Sequence, residues 1–254
     1  MSEPRRRDLL KLISARGFVR VTDASADLGV SEVTIRADLT ELEARGTVVR
    51  VHGGAMLPES IREPSLENAR EQQTSAKRAI GEHAAGLIRS GDSVFLDVGS
   101  TALAVATAIV ERRDLHGVVV VTNGLSVALA LEPALSRIAV LVTGGSLRPL
   151  QHSLVNPFAS QVLDSLRFNL AIIGCNGVDA VTGVTNVNLP ETEVKRHAMR
   201  QSSRCVLIAD GSKLGVTEIG VVGALSEFES LVTAAATADA IASLAAAGLK
   251  VENV

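Results

Sequence analysis

The chain has 254 residues, of which 46% are hydrophobic and 21% charged, and its formal net charge is −3 at pH 7. This composition is typical of a soluble globular protein with one small domain and one domain of ordinary size. No apolar run reaches the roughly 18 residues of a membrane span, and no signal-peptide pattern opens the chain, so we expect a cytoplasmic protein that does not contact membranes.

Residue counts exclude several classes of site. Aromatic residues make up 2% of the chain, with neither Trp nor Tyr, which disfavours base stacking on an aromatic platform. Cys175 and Cys205 stand in apolar runs, and we expect buried free thiols rather than a secreted disulfide framework. The five histidines are scattered without metal-ligand spacing, so we predict no metal site.

The first 57 residues read as three helices followed by two strands around a glycine turn. A helix over residues 5–16 ends at Gly17, and an extended piece holds Val19 and Val21. Thr22 is the expected cap of a second helix that ends at Leu28. A third helix over 32–44 precedes strands at 47–51 and 55–57. This order predicts a winged helix-turn-helix DNA-binding domain over residues 1–57.

The second half of the helix-turn-helix is the stretch from Gly29 to Leu42. Gly29 can end one helix in the left-handed conformation, and Ser31 can cap the next. Apolar residues at i, i+4 and i+7 face the core, which leaves a polar front suited to the major groove. The alternative is an ordinary capped surface helix, and the wing that follows favours the DNA-binding interpretation. The predicted DNA-binding residues are Ser31, Glu32, Thr34, Arg36, Thr40, Arg50 and His52. Asp38 is predicted to pair with a nearby arginine instead.

Residues 58–75 hold Pro58, Pro64 and many polar side chains, and we predict a linker there. A helix is expected to restart near Glu71 and to run toward Gly91. From residue 92 onward, short apolar runs alternate with helical stretches, which predicts a parallel-sheet α/β domain over residues 76–254. The predicted strands are about 93–97, 117–122, 138–143, 168–174 and 204–209.

Each of these five strands ends in glycine and small polar residues. Taken singly such an end is a plain turn, but five in one domain favour a polar cleft at the carboxyl edge of the sheet. Ser100 and Thr101 also open a helix, whose free N–H groups favour an anion such as phosphate. Lysines add positive charge and carboxylates can accept from hydroxyls, which indicates a phosphorylated sugar or polyol as ligand. The predicted effector-binding residues are Asp97, Gly99, Ser100, Thr101, Thr122, Asn123, Gly144, Gly145, Asn176, Gly177, Asp179, Glu191, Lys195, Asp210 and Lys213.

The same groups are compatible with a second class of function. An isomerase or deaminase acting on sugar phosphates could use Asp97, Asp179 or Glu191 as a base and Lys213 as an electrostatic clamp. No phosphate-binding loop of the nucleoside-triphosphate type and no dinucleotide glycine motif is present, so we expect no cofactor. The winged helix favours a regulator over an enzyme.

An ordered set of motifs resembles the DeoR family of bacterial transcriptional regulators. In the first domain these are Ser31-x-x-Thr34-Ile35-Arg36-x-Asp38-Leu39 and Val51-His52-Gly53-Gly54-Ala55. In the second they include Asp97-x-Gly99-Ser100-Thr101 and Asp210-x-Ser212-Lys213. The resemblance implies a sugar-phosphate effector domain with a fold similar to ribose-phosphate isomerases and CoA-transferases. Ala37 stands where the family usually has a second arginine, and Asn156-Pro157 where Gly-Pro is usual.

We therefore expect a regulator, by family habit a repressor of a carbohydrate-metabolism operon, that a phosphorylated sugar releases from double-stranded operator DNA. Two operator half-sites require a symmetric protein, so we expect a homo-oligomer, either a dimer or a tetramer.

Overall fold

The computed structural model describes residues 2–16, 18–51, 53–56 and 63–254. The chain divides into two compact units, Met1–Pro64 and Ser65–Val254. Within the part of the chain that is described, no helix is both long and apolar enough to cross a membrane.

The first unit is a winged helix-turn-helix. Its helices are α1 (Ser2–Arg16), α2 (Val21–Leu28) and α3 (Glu32–Ala44), and its strands are β1 (Phe18–Arg20), β2 (Val49–Val51) and β3 (Gly54–Met56). β3 lies between the other two strands and pairs antiparallel with both. A Cβ at Gly54 would stand 2.2 Å from the carbonyl oxygen of Val19, so only glycine permits this pairing. The core side chains come from all three helices and include Leu9, Ile13, Ile35, Leu39 and Leu42.

The turn between α2 and α3 agrees with its sequence. Gly29 closes α2 at φ 63°, and the side chain of Ser31 accepts a hydrogen bond from the backbone N–H of Thr34. The start of α2 differs from prediction. Val21 is already helical, because its side chain enters the core and its N–H bonds to the wing at Gly53. Thr22 is therefore not the cap, and its hydroxyl donates to Asp23 instead.

The second unit is an α/β domain built on one parallel sheet. Its helices are α4 (Leu66–Glu71), α5 (Thr74–Gly86), α6 (Ser100–Glu111), α7 (Leu125–Ala130), α8 (Phe158–Asp164), α9 (Leu189–Arg200) and α10 (Ala238–Ala246). The main-sheet strands are β4 (Ser93–Leu96), β5 (Val118–Thr122), β6 (Ile138–Val142), β9 (Leu170–Gly174), β12 (Cys205–Ile208), β14 (Ser230–Thr233) and β15 (Val251–Asn253). Their order is β15-β14-β12-β9-β4-β5-β6, and all the pairings are parallel.

Two smaller sheets complete this unit. The strands β10 (Gly177–Asp179), β11 (Gly183–Asn186) and β13 (Gly220–Gly223) form an antiparallel sheet in the order β10-β11-β13. The strands β7 (Ser146–Arg148) and β8 (Ser153–Val155) form a hairpin. Single 3-10 turns lie at Glu132–Ala134, Gly211–Lys213 and Leu225–Glu227.

The main sheet is buried on both faces because successive side chains point to opposite sides. Val94 and Leu96 pack with Ile80 of α5 and Ile109 of α6 on one face. Phe95, between them in the chain, packs on the other face with residues of α8 and α9. Helices on both faces are the physical reason why the strands read as nearly continuous apolar runs.

The five predicted strands correspond to β4, β5, β6, β9 and β12 within two residues at each end. Strands β14 and β15 and the strands of the smaller sheets, each of three or four residues, were not predicted, because pairing with neighbouring strands defines them more than any local pattern does. Residues 66–71, within the range predicted as a linker, form the helix α4, and the second compact unit begins at Ser65 rather than at residue 76.

Candidate functional site

Helix α3 of the first unit presents a polar front above an apolar back. Ile35, Leu39 and Leu42 are buried, whereas Arg36 and Thr40 are exposed. The exposed polar side of the helix can enter a major groove, while the buried apolar side holds the helix to the core of the first unit.

Hydrogen bonds along this front order the predicted DNA-binding side chains. Arg36 Nη2 donates to Glu32 Oε2 at 2.6 Å, one helical turn away. The hydroxyls of Ser31 and Thr34 lie 2.9 Å apart at the start of the helix. Arg50 of β2 reaches across to the helix, and its Nη1 donates to Thr40 Oγ1 at 3.1 Å. Six of the seven predicted residues therefore lie on one connected surface, and His52 lies outside the described residues.

Asp38 lies on the buried side of α3 and ties it to the first helix. Its two oxygens accept from Arg5 Nε at 2.5 Å and from Arg6 Nε at 3.1 Å. Burial on its own raises the pKa of Asp38, but the hydrogen bonds from Arg5 and Arg6 outweigh burial and lower the pKa. The prediction that Asp38 pairs with an arginine is confirmed. Arg5 and Arg6 therefore fix α3 against α1.

Val33 was not singled out from the sequence, although it lies on the same front. Its side chain is 72% exposed on the first turn of α3. An exposed β-branched residue there lies beside Thr34 and Arg36 rather than in the core. Apolar side chains at such positions can contact the methyl group of thymine. An apolar residue outside the buried face of the helix was therefore the sequence signal that could have identified Val33 as a DNA-binding candidate.

At the carboxyl edge of the main sheet in the second unit, a chain of charged side chains is buried. Asp97 follows β4 and is fully buried, and its Oδ2 accepts from the N–H of Gly174 at 2.8 Å and from the ammonium of Lys195 on α9. Its other oxygen, Oδ1, has no hydrogen-bond partner among the described residues. Burial alone would lower the pKa of Lys195, but the charges of Asp97 and Glu191 raise it, so Lys195 stays an ammonium.

Glu191 stands one turn before Lys195 on α9 and extends this chain. Its Oε1 accepts from Arg148 Nη1 at 2.9 Å and from the hydroxyl of Ser153, and its side chain is almost wholly buried. Asn188 caps α9 by accepting from the N–H of Glu191 at 3.0 Å. The predicted residue Glu191 is thus joined to Arg148 and Ser153, which were missed because they lie on the unpredicted β7–β8 hairpin.

A second cluster surrounds the end of β12. Asp210 is buried and accepts from the N–H of Ser212 at 3.0 Å, and Lys77 Nζ lies 4.0 Å from Asp210 Oδ2. Burial lowers the pKa of Lys77. The negative charge of Asp210 raises this pKa and the positive charge of Lys213 lowers it, and the net shift is downward. Burial also raises the pKa of Cys175 to about 12, so Cys175 is a neutral thiol. The expected free thiols are present at Cys175 and Cys205, although Cys175 is only half-buried.

The N-terminus of α6 adjoins the end of β4. Gly99 is the N-cap residue of α6 at φ 96°, and no side chain caps the helix in the described part of the chain. A Cβ on Gly99 would meet only Gln151 within 4 Å. Ser100 and Thr101 are half-buried in the first turn, where unbonded N–H groups and the helix dipole favour an anion.

The remaining predicted residues hold loops in place. Thr122 Oγ1 accepts from the N–H of Gly124 at 3.0 Å, and Asn123 Nδ2 donates to the carbonyl of Leu154 at 3.1 Å. Asn176 Oδ1 accepts from the N–H of Val187 at 3.0 Å. Asp179 Oδ1 accepts from the N–H groups of Val181 and Thr182 and thereby closes its own turn.

Glycine is required at two further predicted positions because backbone passes close by. A Cβ at Gly145 would stand 2.2 Å from the carbonyl oxygen of Val155, and one at Gly177 would stand 2.3 Å from that of Val216. At Gly144 the backbone takes φ 72° with open space around it, so conformation rather than crowding favours glycine there.

The fold and these two surfaces define a winged-helix DNA-binding protein with an attached sensor domain, and the comparison with known families agrees. Residues 5–61 match the DeoR-like helix-turn-helix domain, and residues 72–235 match the DeoR C terminal sensor domain. The chain belongs to the DeoR family of transcriptional regulators.

Relatives of similar length extend over nearly the whole chain. The HTH-type transcriptional regulator GlpR of Haloferax volcanii is 34% identical over 230 residues, which are 90% of this chain and 88% of that protein. The glycerol-3-phosphate regulon repressor of Escherichia coli strain K12 is 29% identical and covers 90% of this chain and 89% of its own. The lactose phosphotransferase system repressor of Staphylococcus epidermidis is 30% identical, with 89% of each chain covered.

Solved structures to which the chain is similar include the full-length sorbitol operon regulator SorC from Klebsiella pneumoniae. It is 16% identical, covers 89% of this chain and 94% of its own, and has a TM-score of 0.43. A ribose 5-phosphate isomerase A from Methanocaldococcus jannaschii covers 56% of this chain and 55% of its own, with 16% identity and a TM-score of 0.42.

Proposed function

We propose that this protein represses a carbohydrate-metabolism operon by binding its operator, and that a phosphorylated sugar or polyol releases it. The observation that carries the proposal is the buried chain of Arg148, Glu191, Lys195 and Asp97 at the strand ends, beside the uncapped N-terminus of α6. Such an arrangement offers hydrogen-bond acceptors for hydroxyls and a partial positive charge for a phosphate. Two relatives named above are named for glycerol 3-phosphate and for a sugar phosphotransferase system, which supports this ligand class.

The proposed ligand contacts are made by hydrogen-bonding atoms and charges that have no partner within the described chain or that lie at the start of α6. Asp97 Oδ1 can accept from a ligand hydroxyl because it has no partner within the described chain. Ser100 and Thr101 offer backbone N–H groups and hydroxyls to the phosphate. Lys213 is half-buried and close enough to influence Lys77 and Cys175, so its ammonium is the candidate phosphate counter-charge. The buried pairs hold these groups at fixed positions.

In the first unit, the proposed DNA contacts are those of the α3 front and the wing. Thr34 and Arg36 face base edges and phosphates, and Arg50 supports them from β2. Because operators are read as paired half-sites, we propose a homo-oligomer, a dimer or a tetramer. Because it would act on operator DNA, we propose that the protein works in the cytoplasm.

Release is proposed to occur by a population shift. If the effector prefers the conformation that binds DNA weakly, its differential affinity for the two conformations sets the size of the release. A ligand with equal affinity for both conformations would leave the operator occupied, however tightly it bound.

An isomerase or deaminase is the second candidate function, and the state of its three candidate bases argues against it. Asp97 is ion-paired with Lys195, Glu191 is bonded to Arg148 and Ser153, and Asp179 closes its own turn. A general base needs a carboxylate oxygen that can take a substrate proton, and each of these carboxylates already has at least one oxygen committed to a contact within the protein. These contacts suit a site that binds its ligand rather than one that turns it over.

A band-shift experiment on the DNA upstream of the protein's own gene tests both functions. The proposal predicts a specific band that a subset of sugar and polyol phosphates removes, and that the unphosphorylated sugars leave in place. The same preparation is assayed for turnover of pentose and hexosamine phosphates. Turnover without any specific band would establish the enzyme and overturn the regulator.

A further inference from the structure

Two buried oxygens at neighbouring strand ends of the sensor domain have no hydrogen-bond partner in the part of the chain that the structure describes. They are Oδ1 of Asp97, directly after β4, and Oδ1 of Asn123, directly after β5. Asp97 is 0% exposed and Asn123 is 1% exposed, so bulk water reaches neither residue. A buried acceptor without a donor costs free energy, and such atoms are few in folded proteins. We call these two oxygens the acceptor pair.

The acceptor pair lies on adjacent strands of the main sheet. β4 and β5 pair in parallel, and the register of this pairing, continued past the strand ends, places Asp97 beside Asn123. The residues that follow are adjacent as well, because a Cβ at Gly124 would lie 3.1 Å from Cγ1 of Val98. Adjacent strands are about 4.7–4.9 Å apart, so one small ligand group can bridge the two residues.

Both side chains point to the face of the sheet that carries α9 and the β7–β8 hairpin. Oδ2 of Asp97 accepts from the ammonium of Lys195 on α9, and Nδ2 of Asn123 donates to the carbonyl oxygen of Leu154 on β8 at 3.1 Å. The second bond fixes the orientation of the Asn123 amide, because the amide oxygen in the same place would meet another acceptor. Oδ1 of Asn123 is therefore turned away from Leu154 and can only accept a proton.

The acceptor pair requires a partner that donates two protons. Nearby donors are already bonded to carboxylates: Lys195 bonds to Asp97, and Arg148 and Ser153 bond to Glu191. A phosphate dianion offers no proton and is repelled by the carboxylate of Asp97. A ligand ammonium would lie beside the ammonium of Lys195 and is disfavoured for the same reason. Hydroxyl groups fit, because each can donate one proton and adds no charge.

We propose that Asp97 and Asn123 bind two hydroxyl groups on adjacent carbon atoms of the effector, one hydroxyl to each Oδ1. Hydroxyls on adjacent carbons match acceptors on adjacent strands, because each hydroxyl bonds to its acceptor at about 2.7–2.8 Å. Since solvent reaches neither residue, the diol enters when this part of the domain opens, and its two hydrogen bonds offset the cost of opening. The inference rests on the proposed function, and it narrows the effector to phosphates that carry a vicinal diol.

Calorimetry on the full chain without DNA tests the diol. The probes are glycerol 3-phosphate, ribose 5-phosphate, glucose 6-phosphate and fructose 6-phosphate, and the tightest binder is then compared with each of its monodeoxy analogues. Loss of either of two adjacent hydroxyls should weaken binding at least about tenfold, because each loss leaves one buried acceptor unpaired. Binding of a phosphate without such an adjacent pair would overturn the inference alone. If none of the four phosphates bound, the proposed effector class would fail and the inference with it.

Asn123→Leu tests the residue itself. This variant should bind the parent phosphate at least about tenfold more weakly, yet bind the analogue that lacks the hydroxyl facing Asn123 as wild type does. Equal weakening of both ligands would show that Asn123 only holds Leu154 in place, and would overturn its assignment.

Asn169→Leu is the matched control for this variant. Oδ1 of Asn169 accepts from the N–H of Ser93 at 2.8 Å, at the opposite edge of the same sheet, so the control should discriminate between the two ligands as wild type does. Circular dichroism verifies that both variants are folded. If Asn123→Leu does not fold, the monodeoxy series on the wild-type chain decides by itself.

Discussion

Lys195 and Asp97 form a buried ion pair between residues 98 positions apart in the sequence. The pair joins α9 to the end of β4, and it places an ammonium and a carboxylate where the strand ends of the sensor domain converge. Neither side chain reaches solvent to any extent. Each charge is therefore stabilised by the other rather than by water.

Replacing Lys195 by Met should destabilise the sensor domain strongly. Removal of one partner leaves Asp97 buried without its counter-charge, a change that costs about 3–5 kcal/mol in comparable pairs. Urea unfolding of the full chain measures the loss. Lys250→Met is the control, because Lys250 is 66% exposed and its pair with Glu252 should contribute at most about 1 kcal/mol. Equal stability of the Lys195 variant and wild type would show that the pair adds nothing to the fold.

Replacing Lys213 by Met should weaken effector-induced release of DNA and leave the stability of the sensor domain nearly unchanged. Lys213 is half-buried and forms no ion pair in the described chain, so stability should change little. If its ammonium neutralises the effector phosphate, the effector concentration needed to release DNA should rise at least tenfold, with operator affinity unchanged. Fluorescence anisotropy of labelled operator DNA measures both quantities. Release at the wild-type effector concentration would show that a residue other than Lys213 neutralises the phosphate.

Arg36→Ala should weaken operator binding without unfolding the protein. Arg36 is exposed on the α3 front and is held by Glu32, so its loss removes a DNA contact and no core contact. If Arg36 binds a phosphate, the slope of log affinity against log salt should also fall by about 1. Arg78→Ala is a matched control, since Arg78 forms the same i,i+4 pair with Glu82 at 2.7 Å in the sensor domain. Equal band shifts for the two variants would show that Arg36 does not contribute to DNA binding.

The ion pairs of Asp38 predict an acid-sensitive DNA-binding domain. The folded-state pKa of Asp38 lies below its ordinary value of 3.8, so the carboxylate contributes stability at pH values above that value. This contribution is lost as the pH falls through the lowered folded-state pKa. Asp38→Asn should therefore destabilise the domain at neutral pH and flatten the decline of stability as the pH falls below 3.8.

Urea unfolding as a function of pH, followed by a probe in the first unit, measures the effect of Asp38→Asn. Asp8→Asn serves as the control, because Asp8 is 54% exposed and, among the described residues, pairs only with Lys11 on its own helix. If the two variants showed the same dependence on pH, the Arg5 and Arg6 contacts would not stabilise the fold.

Local patterns in the sequence were sufficient for the parts of the fold with strong periodicity. The cap at Ser31, the left-handed Gly29 and the apolar spacing of α3 predict the helix-turn-helix because each acts within a few residues. The five predicted strands were predictable because each lies in an apolar run. β14 and β15 were not, because pairing with neighbouring strands, rather than a local pattern, places them in the sheet.

The site was harder to predict because its contacts join distant segments. Asp97, Glu191 and Lys195 were candidates by chemistry, but nothing local indicates that Lys195 pairs with Asp97. Arg148 and Ser153 were missed because the hairpin that carries them has too few residues for a periodic pattern. Asp179 was a candidate that uses its carboxylate in its own turn.

The reciprocity of effector and operator binding tests the central claim most directly. The phosphate ester that releases the operator in the band shift is titrated calorimetrically into the free protein, and then into the protein saturated with operator DNA. The account predicts that operator DNA weakens effector binding by the same factor by which the effector weakens operator binding, a factor on the order of 5–150. Equal effector affinity with and without operator DNA would contradict the account.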